Sequence, residues 1–219
     1  MNAQTAKAML EWCATESIAC LYFLADSDDP ETVRLAEDHG FHLVDIRVTL
    51  EHKIRSGQGE VSSCASGSVH LRHSNHADIP ILQRIARGSY VDSRFYSDTR
   101  FPVEKCEALY ATWIKKSCEG YADVVLVAEL NGHPAGYISC HLTEDASQGQ
   151  IGLVGVDSQA RKYGLGGSLV QGAVEWFAGR GVDVVSVATQ GRNIAGQRLY
   201  ERCGFLTRAV QLWYHKWLS

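Results

Sequence analysis

The segment from Ile151 to Gly167, IGLVGVDSQARKYGLGG, joins an apolar stretch to a glycine-rich turn that opens a helical pattern. Gly164, Gly166 and Gly167 have no Cβ, so backbone N–H groups at this turn can approach a ligand closely. A helix that begins here adds the positive end of its dipole, which favours an anion. The spacing R-x-x-G-x-G is neither the dinucleotide-binding G-x-G-x-x-G nor the P-loop G-x-x-x-x-G-K-[ST]. The segment therefore predicts a phosphate site of another kind, between a strand and a helix.

A second motif follows one helix and one strand later. The helical pattern repeats apolar residues at four-residue intervals and stops near Gly179, and Asp183 to Thr189 is a predicted strand. Residues 193–205 then read NIAGQRLYERCGF. The R-x-x-G-x-G turn and this N-x-x-G-x-x-x-Y-x-x-x-G-F run, in this order, resemble the two signatures of the GCN5-related N-acetyltransferase (GNAT) family.

The resemblance implies that acetyl-CoA is the co-substrate. In the family, the asparagine of the second signature lies beside the pantetheine arm and the tyrosine beside the thioester sulfur; here these are Asn193 and Tyr200. A phenol keeps its proton at pH 7, because its pKa is about 10, so Tyr200 is the expected catalytic general acid for the departing thiolate. The residues expected to bind acetyl-CoA are Val154, Gly155, Val156, Arg161, Lys162, Tyr163, Gly164, Leu165, Gly166, Gly167, Ser168, Asn193 and Tyr200.

Two further features bear on catalysis. Gly155 stands between β-branched residues in a regular strand, which predicts a β-bulge whose free N–H groups could bind the thioester carbonyl. Glu129 and His141 lie on strands expected to border the acceptor cleft. No general base is assigned, because strand carboxylates commonly face solvent and ordered water could accept the proton.

The patterns along the chain predict a mixed α+β fold, the GNAT fold with an N-terminal partial GNAT-like lobe. Residues 69–219 show strand, two helices, a three-stranded meander, helix, strand, helix and strand, which is the GNAT order. Asn131-Gly132 predicts the hairpin of the meander, and Asp78-Ile79-Pro80 is expected to cap its first helix. Residues 1–54 predict a β-α-β lobe, and the Gly- and Ser-rich residues 55–68 predict a linker.

The N-terminal lobe contains a short sequence match to the end of the chain. Residues 34–41, RLAEDHGF, are identical to residues 198–205, RLYERCGF, at five of eight positions. The match predicts a degenerate half of the same fold, although a helix-Gly-Phe-strand corner is also a common feature. Ala36 replaces the tyrosine, so this copy is expected to carry no acetyl-CoA chemistry.

Composition narrows the class of protein. The chain has 219 residues, 45% of them hydrophobic, enough for a sizeable core, and its net charge of −4 without a basic cluster argues against nucleic acid. It has neither an apolar run long enough for a membrane span nor a secretory signal, which predicts a cytoplasmic protein with no membrane partner. Seven cysteines without a C-x-x-C pair predict reduced thiols. No metal is expected, because His70, His73 and His76 lack zinc-ligand spacing.

Within the GNAT family, the whole chain is similar to enzymes that N-acetylate a 4-amino-4,6-dideoxy sugar nucleotide of the dTDP type. The similar segments are GFHLVDIRVTL at 40–50, SRFY at 93–96, VATQ at 187–190 and WY at 213–214. This resemblance implies that Arg94 and Gln190 bind the acceptor, with the guanidinium of Arg94 able to hold a phosphate or sugar oxygen bidentately. A surface ion pair is the alternative for Arg94.

Two other functions stay open from the sequence. RLYERCGF also resembles the ribosomal-protein alanine acetyltransferases, which modify protein N-termini, but those enzymes are shorter. A regulatory module that binds acyl-CoA without turnover is the second alternative, against which the intact Tyr200 argues. The favoured acceptor is a small-molecule amine, a nucleotide sugar, and a homodimer is left open.

Overall fold

The computed structural model of the protein describes residues 3–54 and 69–218. Within these ranges the helices are α1 (Ala3–Thr15), α2 (Pro30–Asp38), α3 (Ile79–Arg87), α4 (Arg94–Ser97), α5 (Val103–Lys116), α6 (Leu165–Ala178) and α7 (Ile194–Arg202). The strands are β1 (Cys20–Asp26), β2 (His42–Lys53), β3 (Val69–His73), β4 (Val124–Leu130), β5 (His133–Leu142), β6 (Gln148–Val156), β7 (Val184–Gln190) and β8 (Leu206–Trp217).

The eight strands of the described ranges form one mixed sheet, in the order β1-β8-β2-β7-β6-β5-β4-β3. β6 and β7 run parallel, and the other neighbouring strands of this sheet run antiparallel. The mixed α+β fold predicted from the sequence is therefore confirmed.

The strands of the predicted N-terminal lobe belong to this same sheet. β2 lies between β7 and β8 and pairs with both, while β1 pairs with the other side of β8. The β-α-β order is as predicted, but α1, which precedes it, was not predicted. The predicted linker at 55–68 lies outside the described residues. The division into residues 1–54 and 69–219, and the duplication, stay predictions.

Helices cover both faces of the sheet. Along β4, Val124 and Leu126 belong to the apolar cluster of α6, whereas Val125 and Val127 belong to that of α3 and α5. Because successive side chains of a strand point to opposite faces, the two clusters lie on opposite sides of the sheet. The predicted stripe of α6 is fully buried and consists of Leu165, Leu169, Ala173 and Phe177. No helix in the described part of the chain has the length and apolarity to cross a membrane.

Asp78 is the N-cap residue of α3, as predicted, and Pro80 lies in the first turn, but the Asp78 side chain does not cap the helix. Asp78 makes no side-chain hydrogen bond to the N-terminus of this helix. A short 3-10 turn, His76–Asp78, precedes α3, and the Asp78 carboxylate accepts from the Asn75 N–H at 2.7 Å and from the Arg72 guanidinium at 2.7 and 2.9 Å. The carboxylate therefore closes the preceding turn instead of the helix.

Candidate active site

β6 and β7 pair over only part of their length. Their register runs from Gln148 opposite Val184 to Ile151 opposite Val187, and no further pairing joins them in the described residues. Beyond this point the two strands leave a gap. The Asp157 N–H donates to the carbonyl of β5 at residue 135, at 2.8 Å. Because N–H groups alternate in direction along a strand, those of Val154 and Val156 point away from β5 and toward the gap.

A β-bulge lies at the start of this gap, but not where the sequence predicted it. Gly152 and Leu153 of β6 together oppose Ser139 of β5, and the Leu153 N–H donates to the Ser139 hydroxyl at 2.8 Å. Gly155 instead pairs in regular register with Tyr137. Its lack of a side chain has another cause, since a Cβ there would lie 2.7 Å from the Tyr137 ring. The prediction of a bulge at Gly155 is therefore wrong.

The N-terminus of α6 is an open helix end. Gly164 precedes it in the left-handed conformation, with φ 79°, and no side chain caps it. The N–H groups of residues 165–167 are among those that a helix leaves without an internal acceptor. A Cβ on Gly166 would lie 3.1 Å from Leu199, so this glycine lets α6 and α7 pack closely. A Cβ on Gly167 would meet no described atom within 4 Å, so packing does not require this glycine.

Ser168 supports a phosphate site at the same helix end. Its hydroxyl is buried and has no hydrogen-bond partner among the residues that the structure describes. Such a group costs about 1–3 kcal/mol unless an acceptor satisfies it. Arg161, Lys162 and Tyr163 lie exposed on the turn before the helix. The open N–H groups, the Ser168 hydroxyl and the two cations fit the phosphate groups of acetyl-CoA.

Asn193 is the cap of α7. Its Oδ1 accepts from the Gly196 N–H at 2.9 Å, and its Nδ2 donates to the Thr189 hydroxyl at 3.1 Å. A Cβ on Gly196 would lie 2.5 Å from the Asn193 amide, which explains the small residue of this motif. The cap leaves the second N–H of the Asn193 amide for a ligand, as a side-chain amide has two.

Tyr200 lies on α7 and is 6% exposed. Burial raises the pKa of its phenol well above the usual value, and the neighbouring Cys203 adds to this effect. The hydroxyl therefore stays protonated near neutral pH, where it can donate a hydrogen bond or a proton.

A cavity of about 250 Å³ occupies the gap between β6 and β7. Of the predicted site residues, it brings together Val154, Gln190, Asn193, Tyr200 and Arg94. The turn at 161–168 lies outside its lining. Residues in the lining that the sequence motifs did not predict include Asp45, Arg47, Tyr90, Tyr110 and Trp113. Part of the cavity lining thus comes from β2, in the predicted N-terminal lobe.

Arg94 is stacked on aromatic rings instead of forming a surface ion pair. Its Cζ lies 4.1 Å from the ring centre of Trp213 and 4.3 Å from that of Phe95. Its Nε is buried without a hydrogen-bond partner among the described residues. Burial lowers the pKa of Arg94 below its usual value, but a guanidinium keeps its charge. The alternative of a surface ion pair is therefore wrong.

Asp45 is a buried carboxylate on the same wall, 4% exposed. It accepts from the Ile46 N–H at 2.8 Å and from the backbone N–H of Arg94. Burial raises the pKa of Asp45, although these bonds and the nearby Arg192 work in the other direction. Arg192 lies 4.0 Å from Asp45 and donates to the Val44 carbonyl and the Ser97 hydroxyl. These contacts tie β2 to α4 at the rim of the cavity.

The two strand residues considered as bases lie outside the cavity lining. Glu129 accepts from Arg72 at 2.7 Å in an ion pair, and burial lowers the pKa of His141. Burial also raises the pKa of Cys20 to about 11 and that of Cys140 to about 12, which leaves these thiols unreactive. In the described ranges, no group of three His, Cys, Asp or Glu side chains could hold a metal ion.

This arrangement of splayed parallel strands, an open helix N-terminus and a buried tyrosine defines an acyltransferase site for a coenzyme A thioester. Residues 89–205 match the acetyltransferase (GNAT) family. The chain belongs to this family, whose members use acetyl-CoA as the acetyl donor.

Individual relatives include two proteins whose names refer to sugars or polysaccharides, and a solved structure shares the fold. The chain is 28% identical over 179 residues to the dTDP-fucosamine acetyltransferase of Escherichia coli O6:H1, covering 81% of this chain and 72% of that one. It is 27% identical to the spore coat polysaccharide biosynthesis protein SpsD of Bacillus subtilis, covering 64% of this chain and 48% of that one. A solved GCN5-related N-acetyltransferase from Kribbella flavida superposes with a TM-score of 0.68 at 14% identity, covering 98% of this chain and 74% of that one. The GNAT fold predicted from the sequence is confirmed.

Proposed function

We propose that the protein transfers the acetyl group of acetyl-CoA to the primary amine of an amino-sugar nucleotide of the dTDP-4-amino-4,6-dideoxyhexose type. One observation carries the proposal. The cavity is lined by Asn193 and Tyr200, at the start and within α7, and by Arg47 of β2 and Arg94 of α4. An acceptor with an amine at one end and phosphates at the other matches this distribution of charge. The name of the Escherichia coli relative supports the same acceptor.

The chain's residues supply three parts of such a transfer. The turn at 161–168 binds the phosphates, while the N–H groups of Val154 and Val156 supply donors for the pantetheine arm and the thioester carbonyl. Acetyl-CoA supplies an activated acetyl group. As the C–N bond to the amine forms and the C–S bond breaks, the Tyr200 hydroxyl donates its proton to the departing sulfur. The amine releases one proton to solvent, and Tyr200 regains its proton from solvent, so protons balance.

Release of free thiol from acetyl-CoA with a panel of amines tests this proposal. The panel consists of dTDP-4-amino-4,6-dideoxygalactose, the same amino sugar without the nucleotide, and a peptide with an N-terminal alanine. We expect the highest kcat/KM with the nucleotide sugar. Preference for the peptide would replace the sugar proposal by protein N-terminal acetylation. Binding of acetyl-CoA without turnover of any amine would favour a regulatory module.

Two wider expectations from the sequence stay predictions. These are the cytoplasmic location and the homodimer. Neither enters the argument for the acceptor.

A further inference from the structure

We propose that Arg47 of β2 is a specificity-determining residue of this site, forming with Arg94 a subsite for an anionic group of the acceptor. The inference rests on the proposed function, which it deepens: it assigns the phosphate end of the acceptor to a residue of the N-terminal segment. A phosphate and a carboxylate present the same anionic oxygens, so either source could fill the subsite.

Strand register puts Arg47 on the cavity wall. Arg47 lies directly opposite Gln190 of β7. Residues directly opposite each other in an antiparallel pair have their side chains on the same face of the sheet. Asp45, two residues earlier on β2, lies opposite Trp213, whose ring carries the guanidinium of Arg94. The two arginines therefore reach the same space from different elements, a strand and a short helix.

Both arginines have unused donors. The Nε atoms of Arg47 and Arg94 are buried, and neither has a hydrogen-bond partner among the residues described. A buried donor on a charged group is costly to leave unsatisfied, so a pair of them on one cavity wall is unfavourable without a ligand. Guanidinium groups bind the planar or tetrahedral oxygens of carboxylates and phosphates bidentately.

The charge of the subsite is positive. Arg47 is close enough to Arg94 to contribute to the lowering of its pKa, whose main cause is burial. Asp45 is the carboxylate that lines this wall, and its oxygens are engaged by the backbone N–H groups of Ile46 and Arg94. Burial raises the pKa of Asp45, whereas its hydrogen bonds and the nearby Arg192 and Arg94 act in the opposite direction. The single negative charge of this carboxylate does not neutralise the two positive charges of Arg47 and Arg94, whereas an additional anionic ligand would.

Kinetics of the Arg47→Gln variant provide the first test. With dTDP-4-amino-4,6-dideoxygalactose as acceptor, we expect KM to rise about 10- to 100-fold with a smaller change in kcat, from the loss of a charged hydrogen bond. With the free amino sugar, kcat/KM should change less than threefold, and KM for acetyl-CoA should stay unchanged. Arg47→Lys should restore part of the affinity. An equal loss with both acceptors would overturn the proposal, since it would indicate a structural role.

Arg208→Gln is the matched control. Arg208 lies on β8 with its side chain 67% exposed, 3.6 Å from Glu51, and outside the cavity lining. We expect its kinetics to match those of the wild-type protein.

Calorimetry separates this inference from the proposed function. The protein is first saturated with coenzyme A, so that its phosphate turn is filled, and is then titrated with dTDP and, separately, with succinate. Binding of dTDP that Arg47→Gln weakens at least tenfold would support a phosphate subsite, even if no amino sugar were acetylated. The same result with succinate alone would support a carboxylate subsite. Binding of neither anion at millimolar concentration, or binding that Arg47→Gln leaves unchanged, would overturn the inference even if the sugar were acetylated.

Discussion

The ring of Tyr137 occupies the space that a side chain at Gly155 would need. The two residues lie opposite each other on β5 and β6, and a Cβ at 155 would come within 2.7 Å of the ring. Tyr137 cannot easily move away, because it is fully buried and its hydroxyl lies 3.0 Å from that of Tyr90. The glycine is therefore a packing requirement of the strand that carries the predicted coenzyme contacts.

Gly155→Ala should destabilise the protein. Forcing a methyl group into a packed core typically costs about 1–3 kcal/mol, and we expect a loss of this size in the free energy of unfolding. Urea unfolding followed by circular dichroism measures it, with the slope against urea unchanged if both variants unfold in the same way. An unchanged midpoint would mean that Tyr137 moves freely, contrary to the packing described.

Gly167→Ala should leave the stability of the protein intact and weaken the binding of acetyl-CoA. Its Cβ would enter open space on α6, so the free energy of unfolding should stay equal or rise by up to about 1 kcal/mol, as alanine favours a helix. Acetyl-CoA binding should weaken by about tenfold or more, equivalent to about 1.4 kcal/mol, because the methyl group would lie where phosphate oxygens approach the helix end. Calorimetry measures the affinity. Normal affinity in a stable variant would argue against phosphate binding at this turn.

Tyr200→Phe should lower kcat about 10²- to 10⁴-fold, the usual range for loss of a general acid, with KM for acetyl-CoA little changed. Since burial raises the pKa of Tyr200 well above its usual value, the wild-type rate should show no alkaline decline from loss of this proton below pH 10. Thiol release measured from pH 6 to 10 checks both expectations. Tyr121→Phe is the control, because Tyr121 is 76% exposed and lies outside the cavity lining. Equal rates for the two variants would remove Tyr200 from the mechanism.

His215 should make stability depend on pH. It is 1% exposed, and burial lowers its pKa below the usual 6.5, although the Asp98 carboxylate at 2.8 Å counteracts this in part. The unfolded chain then binds more protons than the folded one as pH falls below about 7, so the free energy of unfolding should decrease on acidification. Arg94, the other charged group that acts on His215, also disfavours its charged form.

Thermal unfolding between pH 8 and 5 measures this dependence, and comparison with His215→Gln isolates it. We expect a smaller fall in Tm for the variant than for the wild-type protein over that range. Asp98 does not contribute in this range, since its own pKa is lowered from 3.8. A wild-type Tm that rises on acidification would mean that the attraction of Asp98 for the charged imidazole outweighs burial.

Local signals in the sequence predicted most of the fold. Asn131 and Gly132 form the predicted hairpin turn with φ of 53° and 77°, the left-handed values that this residue pair favours. The stripe from Leu165 to Phe177 gave the orientation of α6, and Gly164 marked its start. Each of these features is determined by residues that are close together in the chain, so a local sequence pattern can predict it.

The part of the cavity lining that comes from β2 could not be predicted in the same way. Arg47 reaches the cavity because β2 lies between β7 and β8, a long-range pairing that no local pattern specifies. The bulge at Gly152 and Leu153 involves a hydrogen bond to the hydroxyl of Ser139 on another strand. Gly155, where the sequence predicted the bulge, is instead required because the ring of Tyr137 leaves no room for a side chain. The similarity of the segment GFHLVDIRVTL to relatives does not show that Asp45 and Arg47 line the cavity, because this depends on the strand register.

The position of β8 sets the order in which the sheet can be completed during synthesis. β8 follows the other described strands in the chain, and its neighbours in the sheet are β1 and β2, which precede the others. Until β8 has been synthesised, β1 lacks its partner in this sheet and β2 lacks one of its two partners, and such unpaired edges invite aggregation or chaperone capture. The part of the cavity lining that β2 supplies is therefore fixed in place only when β8 pairs with β2.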